Sequence, residues 1–165
     1  MRSLALPLLA LACWLGAPAP VNAQNTALTT KAPTMTHVAT GEFTVNLKPL
    51  GPEGQPEDPK FGRMSINKTL SGGLVATTVG QMLTAGTAVQ GSAGYVAIEK
   101  VDGVLDGKRG SFALQHTGTL TRGTPSLSVT VVPDSGTGEL QGLTGEFKII
   151  IAGGKHSYEF RYTLP

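Results

Sequence analysis

The chain has 165 residues, with 13 Lys and Arg against 11 Asp and Glu and a formal net charge of +2. That length is enough for one domain with its own core. The basic residues (Lys31, Lys48, Lys60, Arg63, Lys68, Lys100) are scattered, which excludes the clustered stripe that marks a nucleic-acid or anionic-membrane partner.

The first segment reads as an address rather than as part of a fold. Arg2 supplies a positive charge, Leu4 to Leu15 is apolar apart from Pro7, and Val21-Asn22-Ala23 is a small-x-small cleavage site. Residues 1–23 are therefore expected to be a secretory signal peptide, with export to the periplasm or the medium after cleavage near Ala23. The run falls short of the roughly 20 residues that span a bilayer, so no membrane insertion of the mature chain is expected. Lipidation at Cys13 is the rival reading, but Ala10 stands where a larger aliphatic residue is usual. Cys13 is the single cysteine, so cleavage leaves no disulfide, thiol nucleophile or thiolate metal site, and the core must hold the fold.

Residues 24–35 are polar, rich in Thr and Ala, and read as a flexible tether. From there the chain alternates at period two. Glu42 to Lys48 places Phe43, Val45 and Leu47 on one face and reads as the first strand. Pro49 to Pro59 holds four prolines, two glycines and three acids and is a loop. Phe61 to Leu70 is the second strand, with Met64 and Ile66 on its apolar face. Ser71-Gly72-Gly73 turns the chain into a third strand, Leu74 to Leu83. Its two faces cannot be told apart, because Leu74 and Met82 lie on one and Val75, Val79 and Leu83 on the other.

Residues 94–120 form the central hairpin. Two tips are acceptable, Gly107-Lys108 and Asp106-Gly107. The first pairs Glu99 with His116 and the second moves the partners by two; both keep the faces. Tyr95, Ala97, Glu99, Val101 and Leu105 then share a face with Phe112, Leu114 and His116, while Ser111, Gln115, Thr117 and Thr119 point the other way. Arg122-Gly123 is the next tip, pairing Leu114 with Val131, His116 with Val129 and Gly118 with Leu127. Pro133 ends that strand, and Asp134 to Gly145 is a glycine-punctuated connection. Phe147 to Ile151 and Lys155 to Leu164 make a last hairpin around Gly153-Gly154. Phe147, Ile149 and Ile151 share a face with His156, Tyr158, Phe160 and Tyr162.

No segment after the leader has a helical period. About eight strands in meander order predict an all-β domain over residues 36–165, a single closed antiparallel β-barrel in preference to a sandwich. Eight strands leave room for side chains or for one small ligand.

Two long stretches, GYVAIEKVDGVLDGKRGSFALQHTGTL and VVPDSGTGELQGLTGEF, resemble the signature segments of the bacterial DUF3224 family, a domain of unknown function. The opening THVATGEFTVNLKPL fits as well, so the resemblance covers roughly residues 36–165. It implies a small barrel similar to that of allene oxide cyclase, a plant enzyme that cyclises a fatty-acid epoxide. It does not imply that reaction, since no motif here matches the cyclase's active residues and fold likeness does not transfer function. The exported leader and Thr-rich tether depart from the usual family member.

Glu99 and His116 are the candidate chemical residues: inward on neighbouring strands, they would form an acid–imidazole pair able to move a proton, or a buried structural pair. Tyr95 and Tyr158 add phenol donors to a candidate ligand-binding set of Tyr95, Glu99, His116 and Tyr158, or else simply pack. His156 lies near the mouth. His37, His116 and His156 lack the short spacing of a zinc site, so no metal and no cofactor is expected. Gly136-Thr137-Gly138 lacks the Lys-Ser/Thr and the helix that a phosphate loop needs. Three readings stand: a barrel binding a small, partly apolar ligand; an isomerase or cyclase using Glu99 and His116; and a packed structural or assembly module. The Ser-, Thr- and Gln-rich outer faces neither favour nor forbid a homo-oligomer.

Overall fold

A computed structural model describes residues 35–51, 53, 54, 57, 58 and 60–165. The proposed leader, the Cys13 alternative and all of the tether but Met35 lie outside the described residues. The rest is all-β: β1 (Thr36–Pro49), β2 (Phe61–Leu70), β3 (Leu74–Gly86), β4 (Ala93–Leu105), β5 (Lys108–Thr121), β6 (Thr124–Val131), β7 (Thr144–Ala152) and β8 (Lys155–Thr163). They form one closed antiparallel barrel in sequence order, β8 returning to β1. Among the described residues, a short 3-10 turn lies at Gly138–Leu140 in the β6–β7 connection.

β1 begins six residues earlier than its apolar alternation suggests, because its first half serves a different partner. Thr36 to Phe43 pairs with β8, and Phe43 to Pro49 pairs with β2. In the central hairpin the tip is Asp106-Gly107, both at positive φ, so Leu105 faces Lys108. Tight hairpins favour Asp-Gly because both tip residues must be left-handed. This shifts the partners by two from the other register: Ala97 faces His116, and Glu99 faces Leu114. The β5–β6 register is the one expected, with His116 opposite Val129.

The ambiguity of β3 resolves toward the face of Leu74 and Met82. Leu74, Ala76 and Thr78 are buried on the inner face, while Val75, Val79 and Leu83 stand outside at 59%, 71% and 54% exposure. Gly80, opposite Glu99, is inner too; a methyl group there would run into Ile98 O and Glu99 Cα.

The two ends of the barrel differ. At the end with the β2–β3 and β4–β5 turns, the β6–β7 connection folds inward, leaving Leu140 and Leu143 with no exposure. Thr137 N–H bonds Ser111 O (2.8 Å), and Glu139 accepts from Arg109 N–H (2.8 Å), fastening it to β5. Phe112, Phe147, Tyr158 and Phe160 pack there with ring centroids 4.9–5.7 Å apart. The opposite end carries a cavity.

Candidate functional site

Four polar residues are buried among the described residues: Lys68, Thr78, Glu99 and His116, on β2, β3, β4 and β5 respectively. They occupy inner positions on four adjacent strands, where period-two alternation turns them toward the core. Burying them alone would be costly, so each has a partner. Lys68 Nζ lies 2.6 Å from Glu99 Oε2, and His116 Nε2 lies 3.0 Å from the same oxygen. The histidine approach is off the axis of a well-aligned hydrogen bond. The Thr78 hydroxyl donates to Glu99 Oε1 and accepts from the Lys68 N–H at 2.8 Å. That bond replaces a ladder contact: β2–β3 pairing stops at Ile66↔Gly80 and resumes at Thr69↔Thr77. Lys68 Nζ also sits 5.5 Å from the centroid of the Phe43 ring, a cation–π distance.

Burial alone would push the Glu99 carboxyl up. The His116 contact, the Lys68 charge and the hydrogen bonds from Lys68 and Thr78 together outweigh burial, so Glu99 is held below its ordinary value and is a carboxylate at neutral pH. A carboxylate held low by the Lys68 and Thr78 donors and the nearby His116 is a poor proton acceptor, and it pairs with the Lys68 ammonium at 2.6 Å.

Those two residues border a cavity of about 450 Å³ at the open end. Its walls are largely apolar, with Phe43, Val45, Ile66 and Met82 deep and Leu127 and Ile151 toward the mouth. Tyr95 lines it as well. Its ring covers Gly118, where a methyl group would fall 2.2 Å from Cε1, so glycine lets the ring lie on the wall. Burial, and then the Glu99 charge, raise the Tyr95 phenol and keep it a neutral donor. His156 also lines the cavity, 5.2 Å from the Phe43 ring.

The four residues of the expected binding set are thus placed differently. Tyr95 and His116 face the cavity. Glu99 is fully buried and reaches it through Lys68 and His116. Tyr158 belongs to the packed end: its hydroxyl accepts from Leu74 N–H (2.8 Å) and donates to Ser71 O (3.0 Å), bracing the β2–β3 turn. Gly41 leaves space for that hydroxyl, 2.7 Å from where a methyl group would stand. Lys68 and Thr78 escaped the reading of the sequence. Lys68 had a signal, since it alternates with Met64, Ile66 and Leu70. Thr78 had none, because β3 is apolar on both faces. Among the described residues, no group of three or more His, Cys, Asp or Glu side chains is placed to hold a metal ion.

A family model described as a protein of unknown function, DUF3224, matches residues 39–162. Comparison with curated proteins gave no match. Among solved structures, the chain is similar to the crystal structure of a protein with unknown function from the DUF3224 family of Shewanella oneidensis MR-1. The two are 47% identical with a TM-score of 0.74, over 79% of this chain and 98% of that one.

Proposed function

For a chain that belongs to the DUF3224 family, we propose a role as an exported barrel that binds one small, partly apolar molecule in its interior. The observation that carries this reading is the cavity of about 450 Å³ at the open end of the barrel. That volume falls within the range of about 300–1,000 Å³ typical of small-molecule sites, and such sites are mostly apolar with a few convergent polar groups. Lys68, His116 and Tyr95 are those groups, and Glu99 positions the first two. Native mass spectrometry of the protein purified from its host is the test. The expected result is a folded species carrying a small-molecule adduct that is lost on denaturation. A bare chain that also shows no thermal shift with any member of a panel of small apolar compounds would overturn the reading. Export is tested by sequencing the N-terminus of the protein recovered outside the cytoplasm, which should begin at Gln24.

A second reading rests on the same contact. His116 faces the cavity and touches a carboxylate, the arrangement of a proton-moving pair. In an isomerase or cyclase, His116 would be the group that meets the substrate. His116→Gln would then abolish turnover while leaving ligand affinity within a few-fold.

A further inference from the structure

The barrel wall is incomplete along one line. β6 pairs with β5 from Thr124 to Val131, and β7 pairs with β8 along its whole length. Among the described residues, β6 and β7 pair with each other at Thr130↔Glu146 alone. Beyond that point, toward the open end, the two strands present facing edges with no ladder between them. Pro125 lies on the β6 edge and has no N–H to offer, a usual way of keeping a strand edge from pairing. The inner residues of both edges, Pro125 and Leu127 on one side and Ile149 and Ile151 on the other, line the same cavity as Lys68 and His116. Leu127 and Ile151 are 44% and 66% exposed, so apolar surface runs from the interior out through the slot.

Among the described residues, Lys68 is the one Lys, Arg, Asp or Glu side chain on the cavity. Lys68, His116 and His156 line it, and among the described residues no Asp or Glu does. Glu99 is spent on its partners behind the wall. The Lys68 ammonium has three donors and gives one to Glu99, so donors exceed acceptors at the inner end.

Building on the ligand-binding reading above, we infer that the ligand is an apolar anion. Its acidic head lies against Lys68, beside His116, and its apolar body enters and leaves at the open end, where the slot between β6 and β7 extends the mouth. The mouth and the slot that extends it, rather than breathing of the whole barrel, set the exchange rate.

Anilinonaphthalene sulfonate and its uncharged relative phenylnaphthylamine carry similar rings with and without an anionic group. Each is titrated into the full chain by fluorescence, with rates by stopped flow. The sulfonate is expected to bind one saturable site at least about tenfold more tightly than the neutral dye, the scale of one charge-assisted hydrogen bond. Leu127→Trp and Ile151→Trp, both at exposed positions, are expected to slow association and dissociation together by about tenfold, with Kd moving less. A neutral dye that binds as tightly as the sulfonate overturns the anionic head. Association unchanged in both variants, whatever dissociation does, overturns the port. If neither dye binds the wild-type chain saturably, the ligand-binding reading itself fails and this inference with it.

Discussion

At one end of the barrel, Leu140, Leu143, Phe112 and Phe160 fill the interior; at the other, the same alternation of inner and outer residues leaves a cavity bounded by Lys68, His116 and Tyr95. Both ends use inward-facing side chains of eight strands. They differ in what the connections contribute. The β6–β7 connection sends two leucines inward, whereas the β5–β6 and β7–β8 turns at the open end are two-residue tips with nothing to insert. The packed end is thus filled by one connection that turns back into it, whereas at the open end neither the two-residue tips nor the described residues of the longer β1–β2 and β3–β4 connections bury a side chain. Polar groups follow the same division: Tyr158 and Tyr162 bond to turns, and the Lys68–Glu99–His116 group sits at the floor of the hollow.

The sharpest way to break this comparison is to cut the charged group. Glu99→Ala leaves buried Lys68 unpaired and should lower stability by about 3–5 kcal/mol in chemical denaturation. The double variant Lys68→Met/Glu99→Leu should recover most of that loss, because the pair's worth lies in mutual compensation. Equal effects of the single and double variants would show the group to be uncoupled. The next contrast sets one end against the other. Phe112→Ala in the packed end should cost about 3–5 kcal/mol, while Leu127→Ala at the mouth should stay within about 0.5 kcal/mol. A large loss at Leu127 would mean that the open end is as structural as the closed one. Tyr158→Phe leaves the Leu74 N–H and Ser71 O without their partner and should cost about 1–3 kcal/mol, read by the same denaturation.

The buried carboxylate and the buried tyrosines should fail at opposite pH limits. The folded Glu99 carboxyl lies below its ordinary value of 4.5, so the unfolded chain binds its proton first as pH falls. Its contribution is present above that value and lost as pH drops through the folded pKa. Tyr162 at the packed end is pushed up to about 12 from 10.0, by burial first and then by its hydrogen bond to Asp106 and the Asp106 charge. Its contribution is present below pH 10 and lost as pH rises toward about 12. Melting temperature followed against pH should show both limits, and Tyr162→Phe should weaken the alkaline one, to which Tyr95 and Tyr158 also contribute, without moving the acid one.

Much of this was legible in the chain. Arg122-Gly123 set the β5–β6 register residue by residue, since a left-handed two-residue tip admits one alignment. Asp106-Gly107-Lys108 admitted two, and both keep the same faces, so Glu99 and His116 could be turned inward without their exact neighbours being known. Lys68 was overlooked because a lysine is ordinarily solvated, although it stands between Ile66 and Leu70 on the inner parity. β3 was unreadable for a physical reason: both faces carry large aliphatics, Leu74 and Met82 within and Val75, Val79 and Leu83 outside, while Thr78 and Gly80 make room where Glu99 crosses.

Local chemistry, namely period-two alternation and turn residues that accept positive φ, determined the strands, their order and which side chains point inward, because those signals are carried by neighbours in sequence. Only the tertiary structure decided that Lys68 and Thr78 join Glu99, that Tyr158 braces a turn rather than lining the cavity, and that β6 and β7 part toward the open end. Each of these depends on closing the sheet, which brings together residues whose separation along the chain says nothing of their distance in space.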